Sequence, residues 1–280
     1  MQIQAATDQA FIAGARPATE DRQLIDIALA SDAHGAFVWG VLDRLLDEPR
    51  LSFRSITASG FGGIEAAVLA YGLALGGRRG ARTALTNFWR RVSHAWTSVA
   101  ATANPLKSIL EQSIDIAELH KNSCQLELNI LTSNARTDTV TIFSGDQLSI
   151  DAILAGATVP FLFPPVEIDG DTYWGECDFS TLPAVQPIEA AHWLIVSGKP
   201  SGCMTPCAAY CLAANAVNSG SILFDSHHRT SAALFTRPWI DWGELTDMRD
   251  RGRQRAEDWL LADHPTLSES SVVDNKNRYV

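Results

Sequence analysis

Strand-like and helix-like segments alternate over the first hundred residues, and the chain is 46% hydrophobic and only 19% charged. Together these predict an α/β protein with a largely parallel sheet. Each helical segment that follows a strand is long enough for the right-handed crossover that parallel strands require. With 280 residues the chain can bury an ample core, and its charge content is too low for disorder over most of its length.

The first 22 residues, rich in alanine, threonine and acids, read as a loose N-terminal arm. Residues 24–29 (LIDIAL) form the first strand, and residues 35–47 a helix with Phe37, Val41, Leu42, Leu45 and Leu46 on one face. The strand over 51–57 breaks at ASGFGG, from Ala58, into a second helix. There Ile64, Ala67, Val68, Tyr71 and Leu75 keep helical spacing until Gly76 and Gly77 close it. A third helix carries Ala81, Leu85, Phe88, Trp89, Val92 and Trp96 on one stripe.

Residues 105–112 read as a helix, Leu126, Leu128 and Ile130 as a strand, and residues 140–143 as its hairpin partner. A short helix over 151–157 ends at Pro160, and residues 166–174 form a hairpin around Asp169-Gly170-Asp171. The strand over 192–197 is followed by a helix near 205–216, an irregular His-rich stretch and an amphipathic helix over 244–261. The resulting division is a loose arm over 1–22, an α/β domain over 23–200 and a C-terminal helical extension over 201–280.

A formal net charge of −10 excludes the concentrated basic surface of a nucleic-acid binder. The arginine clusters (Arg78, Arg79, Arg82 and Arg249, Arg251, Arg253, Arg255) read as solvated helix faces. No apolar run reaches the ~20 residues of a membrane span, and the N-terminus lacks the pattern of a secretory signal. Five cysteines do not make a disulfide framework, so a cytoplasmic protein is expected. Cys203, Cys207 and Cys211 lie along one predicted helix face, too extended to ligate one ion, and read as small packing residues. No metal or cofactor is expected. Phe235, Trp239 and Trp242 read as an aromatic pin for the C-terminal helix.

In an α/β protein, chemistry gathers at the turn after the first strand and at any sharp strand-to-helix elbow, because both expose backbone amides at a helix N-terminus. Here those places are Ala30 to Gly35 and Ala58 to Gly62. The blocks AHGAFVWGVLDRLLDE (from Ala33), ITASGFGGIEAAVLAYGLALGGRRGARTALTNFWRRVS (from Ile56) and TSNARTDTVTIFSGDQLSIDAILAGATVPFLFPPVEIDGDTYW (from Thr132) closely resemble bacterial patatin-like phospholipases. So does MRDRGRQRAEDWLLADH (from Met248), and the resemblance covers roughly residues 24–264. It implies a three-layer α/β/α fold and a Ser-Asp dyad: a serine in a G-x-S-x-G elbow, an aspartate in D-G-[GA], and a glycine-rich oxyanion loop after the first strand.

Carried over residue by residue, each part departs from the pattern. The elbow falls on Ala58, Ser59, Gly60, Phe61 and Gly62, which puts Gly60 at the nucleophile position. A one-residue slip would bring Ser59 there, flanked by the bulky Thr57 and Phe61, whereas the alternative has Ser59 cap the following helix. The oxyanion loop reads Ser31, Asp32, Ala33, His34, Gly35 in place of a glycine run. Asp32 there reads as a helix cap, and His34 as loop structure. The aspartate position falls on Gly175 when aligned forward from DGDTYW and on Glu176 when aligned backward from Pro183, with Asp178 nearby. Relative to the family, the segments between Ser93 and Pro105 and between Lys199 and Leu245 are short.

The expectation is a patatin-like protein that has lost Ser-Asp dyad catalysis, a pseudo-hydrolase whose ligand is a lipid or acyl chain. The alternative is an active lipid acyl hydrolase or carboxylesterase built on Ser59 with Glu176 or Asp178. A third is a decayed relative with no biochemical role.

Overall fold

The computed structural model describes residues 22–31, 35–96, 105–121, 126–158, 164–175, 192–200, 218–224 and 241–262. At its centre β1 (Gln23–Ser31) and β2 (Leu51–Gly60) pair in parallel, with Ser31 opposite Gly60 at their carboxyl ends. On one side β2 pairs β3 (Glu127–Asn134), and on the other β1 pairs β7 (His192–Pro200), which pairs β8 (Asn218–Phe224). All of these ladders are parallel. Beyond β3 the ladders turn antiparallel: β4 (Val140–Ser144) and β6 (Asp171–Gly175) pair β3, and β5 (Val166–Ile168) pairs β6.

Every residue of β1 from Ile25 to Ser31 is buried, as is every residue of β2 from Ser55 to Gly60. A strand buried on both pleat faces has a layer on each side, and the polar side chains this encloses include Asp26, which accepts from Ser55 Oγ at 2.6 Å. The helices are α1 (Gly35–Leu45), α2 (Gly62–Trp96), α3 (Pro105–Glu111), α4 (Ile116–Lys121), α5 (Ile150–Ala157) and α6 (Trp242–Ala262). The expected α/β architecture, a mostly parallel sheet flanked by helices, is therefore present.

The second and third expected helices join as α2 across a break at Gly76 (φ −159°, ψ 27°) and Gly77 (φ 58°, ψ −148°). Only glycine adopts the second of these conformations without strain. The β5–β6 hairpin turns on Asp169 (φ 53°) and Gly170 (φ 86°), the paired positive angles of a two-residue hairpin loop. Two elements escaped the sequence reading. α4 is too short to show a period, and β8 (NSGSILF) opens on residues that favour turns. The expected helix near 205–216, with Cys203, Cys207 and Cys211, lies outside the described residues, as do Phe235, Trp239 and the N-terminal arm but for Arg22.

α6 crosses α1 at backbone contact. A Cβ on Gly40 would stand 1.9 Å from the Arg249 carbonyl oxygen, and one on Gly252 would stand 2.0 Å from that of Phe37. Arg253 and Arg82 converge on Asp43 and Asp47, with Arg82 Nε at 2.7 Å from Asp43 Oδ1 and Arg253 at 2.8 Å from Asp47 Oδ2. Arg44 pairs Glu257, and Arg249 lies over Trp39 at 5.1 Å. Arg82 and Arg253 thus join three helices and are not a solvated face. Trp242 packs on Trp39 with ring centroids 5.9 Å apart, as its reading as a pin requires.

Candidate functional site

β2 ends at Gly60 with φ +62°, Phe61 makes the turn, and α2 begins at Gly62. A positive φ at the apex, between a buried strand and the first turn of a helix, is the geometry of a sharp strand-to-helix elbow. The elbow is tight for a measurable reason, since a Cβ on Gly62 would stand 2.9 Å from the Leu29 carbonyl oxygen on β1. With Gly60 at the apex, no side chain projects where a nucleophile would stand.

Ser59 sits one residue earlier, within β2 and opposite Ala30. It is fully buried, and its Oγ has no hydrogen-bond partner. It therefore caps nothing, contrary to the expectation that it would cap α2. The hydroxyl is also sealed from solvent, whereas an attacking serine must meet its substrate. Thr57, two residues earlier on the same pleat face, has an equally buried and unpartnered Oγ1.

The residue after the apex is Phe61, whose N–H donates to the Ser31 carbonyl oxygen at 2.6 Å as the last bond of the parallel β1–β2 ladder. The Phe61 ring is buried against Phe88 and Trp89, at centroid distances of 5.9 and 5.3 Å. It also reaches Gly35 at the start of α1, where an added Cβ would be 2.8 Å from Phe61 Cδ1. Of the oxyanion-loop positions, Ser31 and Gly35 are thus tied to Phe61, while Asp32, Ala33 and His34 lie outside the described residues.

A carboxyl that the sequence reading passed over stands beside this turn. Glu65, in the first turn of α2, is fully buried, and its Oε2 accepts a hydrogen bond from Ser31 Oγ at 2.8 Å. Its Oε1 has no partner at bonding geometry. Burial holds the Glu65 pKa well above the usual carboxylate range. Ser31, the Trp89 indole and the Trp39 backbone amide pull less strongly the other way. The signal for it in the sequence was a lone acid between Ile64 and Ala66 in the apolar first half of α2.

At the expected aspartate position, Gly175 closes β6 opposite Thr132, and its N–H donates to the Thr158 carbonyl at 2.8 Å. A Cβ there would stand 2.5 Å from the Gly156 carbonyl oxygen, so this position accepts no carboxylate. Glu176 and Asp178 lie outside the described residues. Among the described residues no cluster of three or more His, Cys, Asp or Glu side chains could hold a metal ion.

A strand-to-helix elbow at the carboxyl edge of a parallel sheet, beside the carboxyl end of the first strand, is the site architecture of serine acyl hydrolases. A sequence-family model described as patatin-like phospholipase matches residues 33–178, more than half of the chain. The chain belongs to that family. Among solved structures it is similar to VipD from Legionella pneumophila, with 10% identity, a TM-score of 0.47, and 87% of this chain and 67% of that one covered. It is also similar to ExoU of Pseudomonas aeruginosa in its heterodimeric complex with SpcU, with 15% identity, a TM-score of 0.42, and 86% and 52% covered. The chain therefore spans about two thirds of the VipD chain and about half of that ExoU chain. No curated protein sequence matches it.

Proposed function

We propose that this chain is a patatin-fold pseudo-hydrolase: it keeps the elbow and core of a lipid acyl hydrolase and has lost Ser-Asp dyad catalysis. The observation that carries the reading is the elbow apex itself, where Gly60 at φ +62° offers no side chain and the neighbouring Ser59 hydroxyl is buried. Without a nucleophile at the apex no acyl-enzyme can form there. A lipid or acyl ligand is the partner this reading carries over from the family, with no cofactor and a cytoplasmic location. No described helix is long and apolar enough to cross a membrane.

The rival reading, an active hydrolase or carboxylesterase using Ser59 with Glu176 or Asp178, needs an accessible Ser59 hydroxyl. Its buried, unpartnered Oγ speaks against that. Fluorophosphonate labelling and turnover of a short-chain p-nitrophenyl ester, on the native chain and on Ser59→Ala, separate the two. No labelling and no turnover above background are expected from either protein. Labelling that vanishes in Ser59→Ala overturns the proposal.

A further inference from the structure

A cavity of about 650 Å³ opens at the amino ends of β1, β2 and β3, the opposite end of the sheet from the Gly60 elbow. Its volume lies within the roughly 300–1,000 Å³ of small-ligand sites. Leu24, Leu51, Phe53, Leu73, Ala74 and Leu128 give it an apolar lining, and Leu24 keeps 52% of its surface exposed at this edge. Arg22 and Arg78 border the same space.

The break at Gly76 and Gly77 sets the position of Arg78, and Gly77 itself lines the cavity. Arg78 donates to three neutral acceptors, the carbonyls of Leu46 at 3.0 Å, Glu48 at 2.6 Å and Leu51. The Glu48 carboxylate is turned to Arg50 instead, at 2.7 Å. Arg22 forms no ion pair among the described residues. Burial first, and repulsion from Arg22 second, hold the Arg78 pKa below its ordinary value, against a weaker attraction from Glu48. The acid on the lining, Glu127, accepts from the Asn129 amide at 3.2 Å and acts electrostatically on Arg54.

We propose that this cavity binds a single-chain amphiphile with an anionic head, the head between Arg22 and Arg78 and the tail against Phe53, Leu73 and Leu128. An anion there relieves the repulsion between two guanidiniums and takes charge-assisted hydrogen bonds from them. The tail removes apolar surface from water. A cation is repelled, and an uncharged chain gains only the second of these contributions. The inference uses no residue of the elbow, so it stands or falls independently of the loss of catalysis.

Calorimetric titration of the full chain with decanoate, decanol, decyltrimethylammonium and inorganic phosphate, all below micelle formation, tests it. Decanoate is expected to bind at least about tenfold more tightly than decanol, with no saturable binding of the cation or of phosphate alone. Ala74→Phe, which fills the cavity from α2, is expected to weaken decanoate at least about tenfold. Arg22→Gln, at an exposed position that leaves the core untouched, is expected to weaken decanoate severalfold and leave decanol unchanged. If Ala74→Phe loses its circular-dichroism signature of the native fold, Arg22→Gln decides. Equal affinity for decanoate and decanol, phosphate binding as tight as decanoate, or decanoate binding unaffected by Arg22→Gln overturns the proposal.

Discussion

The backbone N–H of Phe61 and the carbonyl oxygen of Ser31 lie 2.6 Å apart, joining the residue after the elbow apex to the last residue of β1. This is the last bond of the β1–β2 ladder, the one that the parallel pairing of Ser31 with Gly60 requires, so the hydrogen bonding of the sheet runs up to the apex itself. The apex carries no side chain, and the hydroxyl one residue before it is buried.

Restoring a serine at the apex is not expected to restore chemistry, because Gly175, at the position expected of the dyad's aspartate, has no room for a carboxylate. Gly60→Ser forces a β-carbon onto a residue at φ +62°, which costs on the order of 1–3 kcal/mol. The variant is expected to be less stable in urea and to hydrolyse p-nitrophenyl esters no faster than the native chain. A clear burst of p-nitrophenol from it would overturn the proposed loss of catalysis.

Ser59→Ala is expected to hold or raise stability, because it removes a buried hydroxyl that bonds to nothing. The gain is limited to about 1 kcal/mol, since deleting the oxygen also leaves a small void. Urea denaturation followed by tryptophan fluorescence measures it. A loss of more than about 1 kcal/mol would show that the hydroxyl has a partner in solution.

Glu65→Gln should stabilise the protein, and more so as pH rises. The Glu65 pKa is raised by burial above its ordinary value of 4.5, so the folded state prefers the neutral acid. That preference costs nothing below pH 4.5, where the unfolded chain is protonated too. Stability is then lost as pH climbs through the folded-state value. Glutamine keeps the neutral shape and a hydrogen bond with Ser31 without ionising. The stability difference between variant and native chain is expected to be small at pH 4.5 and larger at pH 8. A difference that shrinks with pH would contradict the burial argument.

Gly252→Ala tests the α1–α6 crossing. The added methyl would meet the Phe37 carbonyl oxygen at 2.0 Å, a backbone atom that cannot rotate away. The helices must separate, at a cost of about 1–3 kcal/mol or more. The midpoint of thermal unfolding is expected to fall by several degrees. An unchanged midpoint would place α6 elsewhere.

The central strands and the elbow were legible because their signals are local: the mostly apolar LIDIAL, the break at ASGFGG and the helical period that follows it. Gly60 could be placed at the apex from its neighbours Ala58 and Gly62 alone. The partnerships could not be read. Glu65 announced itself as an acid in an apolar stretch, but its bond to Ser31 spans 34 residues. Likewise Arg82 and Arg253 looked like members of solvated clusters, because each meets Asp43 only once α1, α2 and α6 have come together. β8 stayed hidden because its apolar half is three residues long.

The contact between Arg253 and Asp43 bridges 210 positions of chain. During synthesis α1 is made early and α6 late, so the face of α1 built around Gly40 waits uncovered while most of the polypeptide emerges. Long-range closures of this kind slow folding and leave intermediates with sticky surfaces. Truncation before α6 is thus expected to yield aggregate, not a smaller folded unit.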